Sequence, residues 1–172
     1  ALAGGGTRGA FECGVWKALS ELGIEISAIV GTSIGAVNGA MFTAGNDTFS
    51  LWKSISADDV LKLPRENDNK TSVLISFVKS LSQGGIDTSP FREFLNKHLS
   101  ETDVRKSPVE YGLCTYSVDE KRELYLFKED IPEGKLIDYV MASACFPLFK
   151  PSVIDDKVYS DGAVRNNLPI SM

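Results

Sequence analysis

The chain contains a single histidine, His98. A catalytic triad of serine, histidine and an acid would have to run through it, as would a zinc site built on imidazole. It lies near the end of a stretch with helical spacing, 90–99, where a surface or helix C-terminal residue is the ordinary occupant. Cysteine is also sparse. Cys13, Cys114 and Cys145 are an odd number, each among apolar neighbours, with no CxxC pair. No disulfide framework is expected, and the thiols read as buried and reduced, in a cytosolic or host-cytosolic setting. No apolar run reaches the ~20 residues of a membrane-spanning helix. Positive charge is not in excess: the formal net charge of −5 argues against nucleic acid as a partner. Lysine is missing at two telling places. No Gly-Lys-Ser/Thr follows the N-terminal glycines, so a P-loop is excluded, and Ala36 stands where a Ser-x-x-Lys pair would need lysine after Ser33. With no His/Cys cluster and no calcium-loop spacing, neither metal nor another cofactor is expected.

What is present fits one globular domain over residues 1–172, long enough to bury a core, with 43% hydrophobic and 24% charged residues. The chain opens without methionine and closes at Pro169-Ile-Ser-Met172 as a new element begins, so truncation at both ends is expected. The pattern reads as strand 1–3, a glycine loop, helix 10–22 ended by Gly23, strand 24–30 and helix 34–44. A helix is expected over 49–55, a surface loop over 64–70 and a helix over 72–81, broken by Gly84-Gly85. Thr88 or Ser89 caps the next helix, with Pro90 at its first position. Strands 109–118 and 122–128, helix 135–144 and a hairpin of 153–154 with 157–159 about Asp155-Asp156 follow, and Asp161-Gly162-Ala163 lies on a turn. Strand–helix–strand–helix order predicts an α/β fold: three α/β/α layers with a mainly parallel central sheet.

The chain is organised around Ile29-Val-Gly-Thr-Ser-Ile-Gly-Ala-Val-Asn-Gly39. Gly31, Ser33 and Gly35 make Gly-x-Ser-x-Gly at the passage from strand to helix. A serine on so sharp a turn has a strained backbone, and glycine two residues to either side removes the collisions across it. The helix starting behind the hydroxyl turns its free N–H groups toward an anion forming there. That suits a nucleophile; a plain small-residue turn is the other reading. Gly4, Gly6 and Gly9 satisfy Gly-x-Gly-x-x-Gly, so a dinucleotide site competes. Against it, the second strand ends in the serine elbow, and Glu25 lies at that strand's start. Bare backbone N–H groups beside an activated serine would instead stabilise an oxyanion. With histidine discounted, Asp161 is the best remaining base, although Asp-Gly is an ordinary turn former.

Gly4-Gly-Gly-Thr-Arg-Gly9, Gly31-Thr-Ser-Ile-Gly35 and Asp161-Gly162-Ala163, in that order, resemble the three signature blocks of the patatin-like phospholipases. Ala142-Ser-Ala-Cys-Phe-Pro147 with Pro151, Asp87-Thr-Ser-Pro90 and Asn166-Asn-Leu-Pro169 are similar to further segments of that family, so the likeness covers nearly the whole chain. Ala163 stands where many members have glycine. The resemblance implies a patatin-like fold and a Ser33–Asp161 dyad working without histidine. It implies an oxyanion hole from Gly5 and Gly6, with Thr7, and supporting roles for Gly4, Arg8, Gly9, Gly31, Gly35 and Gly162. The activity expected is metal-independent acyl-ester hydrolysis of phospholipid or another acyl lipid through an acyl-enzyme. An acyltransferase with the same dyad and a non-catalytic lipid- or nucleotide-binding module are the rivals. The expected location is cytoplasmic or peripheral at a membrane, with secretion as an effector left open. Arg8 is expected to form a structural salt bridge, a contact to lipid phosphate being the alternative. Residues among 42–81, Phe42, Phe49, Trp52 and Phe77 included, are core or line an acyl groove or lid.

Overall fold

The computed structural model describes residues 1–62, 79, 80, 82 and 84–172, and all statements below concern these. The expected loop 64–70 and all but Lys79 and Ser80 of the expected helix 72–81 lie outside them. Helix α1 spans Gly9–Glu21. It ends as the glycine foretold: Gly23 has φ 67°, its N–H bonds to Ser20 O (3.1 Å), and Ile24 N–H closes on Leu19 O (3.0 Å). This cap delays the next strand, expected at 24–30. Strand β1 is Ala28–Thr32, because its partner strand first meets it at Glu110. The expected first strand is a single parallel bridge of Leu2 with Gly31.

Helix α2, Ile34–Thr43, has nine of its ten residues buried, which explains its content of Gly, Ala and Asn: packed on every side, it has no room for large groups all round. Helix α3 is Thr48–Ser54, capped by Asp47, and α4 is Ser89–His98. The α4 cap differs from expectation. Thr88 holds the N-cap position without a side-chain bond, and Asp87 Oδ1 accepts Ser89 N–H instead (2.9 Å). A short helix α5, Glu101–Lys106, was not read from the sequence, although Ser100 caps it by accepting Asp103 N–H (3.2 Å). Strands β2 (Glu110–Ser117) and β3 (Arg122–Phe127), helix α6 (Leu136–Ser143) and strands β4 (Ser152–Ile154) and β5 (Lys157–Asp161) complete the order.

The α/β class is the one expected, and the sheet is mixed. Leu2, β1 and β2 pair in parallel; β2 with β3, β4 with β5, and β2 with β5 pair antiparallel. Short turns impose this on the two hairpins, since a parallel pair needs a long crossover. At the β4–β5 turn Asp155 and Asp156 both have positive φ (50° and 61°), as a two-residue hairpin turn demands. Tyr111 and Leu113 of β2 join the main core with Val37 and Met41 of α2, Leu95 of α4 and Val140 of α6. The Tyr111 hydroxyl donates to Ala36 O (2.8 Å) and pins α2 to the sheet. No helix among the described residues is long and apolar enough to cross a membrane.

Candidate active site

Two strands meet end to end along one edge of β2. β1 runs parallel to β2 and finishes with Thr32 opposite Cys114. β5 runs antiparallel and finishes with Asp161 opposite Thr115, the next residue. β3 occupies the other edge of β2 across both stretches, so β1 and β5 share an edge and point their C-terminal ends at each other. Neighbouring positions on a strand are about 3.3 Å apart. The register alone therefore brings Ser33, one residue past β1, beside Asp161. The Ser33 hydroxyl donates to Asp161 Oδ2 at 2.6 Å across 128 residues of sequence.

The elbow has the geometry its glycines foretold. Ser33 has φ 56° and ψ −126°, a sparsely populated region that costs about 1–3 kcal/mol for a residue with a side chain. A Cβ at Gly31 would lie 2.6 Å from Ala36 N, and one at Gly35 2.6 Å from Leu2 O. Gly9 opens α1 where that helix crosses α2, and a Cβ there would lie 2.6 Å from Ile34 Cγ1. Gly162 has its missing side chain against the Cys114 carbonyl, next to the strand junction.

Asp161 is the last residue of β5, so the carboxylate stands on a strand end rather than in the turn expected for it. Only 3% exposed, it is pushed by burial above the usual carboxylate range, while hydrogen bonds from Ser33 and Ala163 pull it back. Its Oδ1 accepts Ala163 N–H (2.8 Å), and its own N–H donates to Cys145 O (2.8 Å). One carboxylate oxygen is thus anchored and the other faces the hydroxyl.

Gly4, Gly5, Gly6 and Thr7 line the same cavity as Ser33 and Asp161. Gly6 has φ 55°, and a short 3-10 turn over Gly6–Arg8 leads into α1. Asn167 braces this loop: its carbonyl accepts Gly4 N–H (3.0 Å) and its side-chain amide donates to Gly4 O (3.2 Å). Behind the loop, the buried Asn38 of α2 donates to Gly9 O (3.0 Å) and Glu12 Oε2 (2.8 Å) and accepts Trp52 Nε1–H (2.9 Å). Arg8 corrects the sequence reading: it is exposed, and among the described residues it forms no ion pair. His98 closes α4 with its ring 4.6 Å from Phe94 and does not line the cavity of Ser33.

The cavity has a volume of about 1040 Å³. Its apolar wall includes Met41, Leu51, Trp52, Val60, Phe91 and Phe94. The segment after α2 thus supplies a wall, as one of the two readings had it, although Phe42 belongs to the core, stacked on Trp16 at 4.5 Å. Phe77 lies outside the described residues. Cys145 also lines the cavity, but burial raises its thiol pKa, which keeps it protonated and a poor nucleophile. Among the described residues no group of three His, Cys, Asp or Glu side chains is placed to hold a metal ion. Asn38, Asn167 and Ser143, whose hydroxyl accepts Ser33 N–H, lie in segments quoted above, but none of them was assigned a role of its own from the sequence. Their partners are set by packing across long stretches of chain, which the segments alone do not disclose.

A strand–turn–helix elbow that presents a serine defines a class of α/β proteins, and this chain is of that class. The sequence profile of the patatin-like phospholipases matches residues 1–172, and the chain belongs to that family. It is 54% identical over 174 residues to patatin-like phospholipase domain-containing protein 7 of Rattus norvegicus, covering 98% of this chain and 12% of that protein. It is 51% identical over 173 residues to lysophospholipase nte1 of Aspergillus terreus, covering 98% of this chain and 10% of that protein. An uncharacterised NTE family protein of Mycobacterium tuberculosis is 26% identical over 175 residues, with 99% of this chain and 44% of its own length covered. The chain thus spans less than half the length of these relatives. The fold matches the crystal structure of VipD from Legionella pneumophila with a TM-score of 0.65 at 15% identity, over 98% of this chain and 46% of that one.

Proposed function

We propose that this chain is the catalytic core of a lipid acyl hydrolase of phospholipase A or lysophospholipase type, with Ser33 as nucleophile and Asp161 as its base. The observation that carries the reading is the 2.6 Å bond from the Ser33 hydroxyl to a buried carboxylate, both lining a largely apolar cavity. A carboxylate is ordinarily a weak base toward an alcohol. Burial raises the proton affinity of Asp161 and so strengthens it as a base at neutral pH. Ser33 Oγ attacks the ester carbonyl as its proton passes to Asp161. The amides of Gly5 and Gly6, with Thr7, hold the oxyanion; one such donor is worth about 10²–10³ in kcat. The alcohol leaves with the proton from Asp161. Water, deprotonated in turn by Asp161, attacks the acyl carbonyl, and Ser33 Oγ leaves with that proton from Asp161 as the fatty acid is freed.

Lipid as the substrate class is supported by the apolar wall and by relatives that bear phospholipase and lysophospholipase names. A peripheral membrane contact is supported by Phe146 and Val153, which line the cavity and are 51% and 61% exposed, and by Leu148 beside Phe149, 41% exposed. The test is labelling with a fluorophosphonate, read by intact mass and peptide mapping beside Ser33→Ala, together with fatty-acid release from lysophosphatidylcholine. One adduct on Ser33 and none in the variant is the expected result. An adduct elsewhere, or none on folded protein, overturns the assignment.

A further inference from the structure

The backbone N–H of Ser33 has no place in either element it joins. The β1–β2 pairing ends at Thr32, and Ser33 is the N-cap of α2, so neither ladder nor helix uses this donor. It is met by a side chain 110 residues away: Ser33 N–H donates to Ser143 Oγ at 2.9 Å. The Ser143 hydroxyl in turn donates to the carbonyl of Cys114 at 2.7 Å. The polarity of this relay is unambiguous. A carbonyl only accepts and an amide N–H only donates, so the one hydroxyl proton of Ser143 lies toward Cys114 and its lone pair toward Ser33. Cys114 is the residue opposite Thr32, next to the position opposite Asp161. Ser143 is the last residue of α6 and is fully buried.

We infer that Ser143 is a positioning residue for the reaction, tying the backbone of the nucleophile in its strained conformation to β2 so that the Ser33 hydroxyl stays on Asp161. The inference rests on the functional reading above. With the hydroxyl removed, the Ser33 amide and the Cys114 carbonyl both lose their partner, and the elbow is free to relax toward a commoner φ. The hydroxyl moves with it, and a displacement near 1 Å at a reacting atom lowers rate on the order of 100-fold.

The experiment compares wild type with Ser143→Ala below its melting temperature. It measures the fluorophosphonate labelling rate at Ser33 and the pH profile of kcat and KM on a soluble short-chain ester. The expected result is labelling and kcat about 10- to 100-fold slower with KM within about twofold. The acid limb also moves to higher pH, because a hydroxyl off Asp161 no longer lowers its proton affinity. The titratable groups beside Asp161 are the Cys114 and Cys145 thiols, both kept protonated by burial, so they do not set that limb. A folded variant with wild-type labelling, kcat and acid limb overturns the inference, whatever its melting temperature. If Ser143→Ala does not fold, Ser143→Cys, which fills the site with a weak acceptor, is judged by the same criteria. Failure of the wild type itself to label removes the functional reading and this inference together, which separates the two failures.

Discussion

Replacing Asp161 by asparagine should lower activity and raise stability at the same time. Asparagine has nearly the shape of aspartate. Its oxygen can still accept Ala163 N–H, and its amide can donate to Ser33 Oγ where the carboxylate now accepts, so the elbow stays in place. The variant has no base. Loss of general-base catalysis lowers kcat by about 10²–10⁴, or about 3–5 kcal/mol of barrier, and the intact glycine loop leaves a residue of activity. Stability moves the other way. The folded-state pKa of Asp161 lies above its unfolded value, chiefly through burial. The folded protein therefore binds this proton more tightly than the unfolded chain, and its stability falls as pH rises from the ordinary carboxylate range through the raised pKa. Above that window the buried charge is a standing destabilisation, and the neutral amide of Asp161→Asn does not carry it. The variant should melt above wild type at neutral pH, each kcal/mol appearing as about 2–4 °C in a domain of this size, and the gap should close in acid. The wild-type acid limb of kcat/KM should lie above the ordinary carboxylate range, since only the ionised form is a base. Thermal melts across pH and initial rates on a soluble ester measure all of this. Near-wild-type turnover, or a melting temperature below wild type at neutral pH, refutes the reasoning.

Two further substitutions test the surroundings. Gly31→Ala drives a Cβ into the Gly35–Ala36 backbone and should destabilise the fold by about 1–3 kcal/mol and slow fluorophosphonate labelling of Ser33; an unaltered melt with normal labelling would contradict the elbow packing. Leu148→Asp, on the exposed rim outside the cavity lining, should weaken cosedimentation with phosphatidylcholine vesicles while hydrolysis of a soluble short-chain ester stays at the wild-type rate. Unchanged vesicle binding would place the membrane contact elsewhere.

Much of the fold was legible because its signals are local. Hydrophobic spacing marked α1 and α4, the Gly-x-Ser-x-Gly elbow marked the start of α2, and the Asp155-Asp156 pair marked its hairpin. Boundaries slipped where long-range pairing decides them: residues 24–27 look like strand, yet β1 waits for Glu110 to begin. Helix α5 went unread although Ser100 and Asp103 form a cap signal, because six residues show too little periodicity. The salt bridge expected of Arg8 depended on which loop lies beside it, and sequence does not supply that neighbour.

By itself the sequence determined that a serine would sit on a sharp turn flanked by glycines and that a glycine-rich backbone would precede it, and it offered a single histidine far from that turn. These follow from sterics within a few residues and from which residue types exist at all. Only the tertiary structure decided that Asp161 meets Ser33, through the consecutive positions at which β1 and β5 end against β2. It also decided that the carboxylate is buried and that Ser143 takes up the Ser33 amide. Desolvation and contacts across more than a hundred residues belong to packing and register, which no short window of sequence contains.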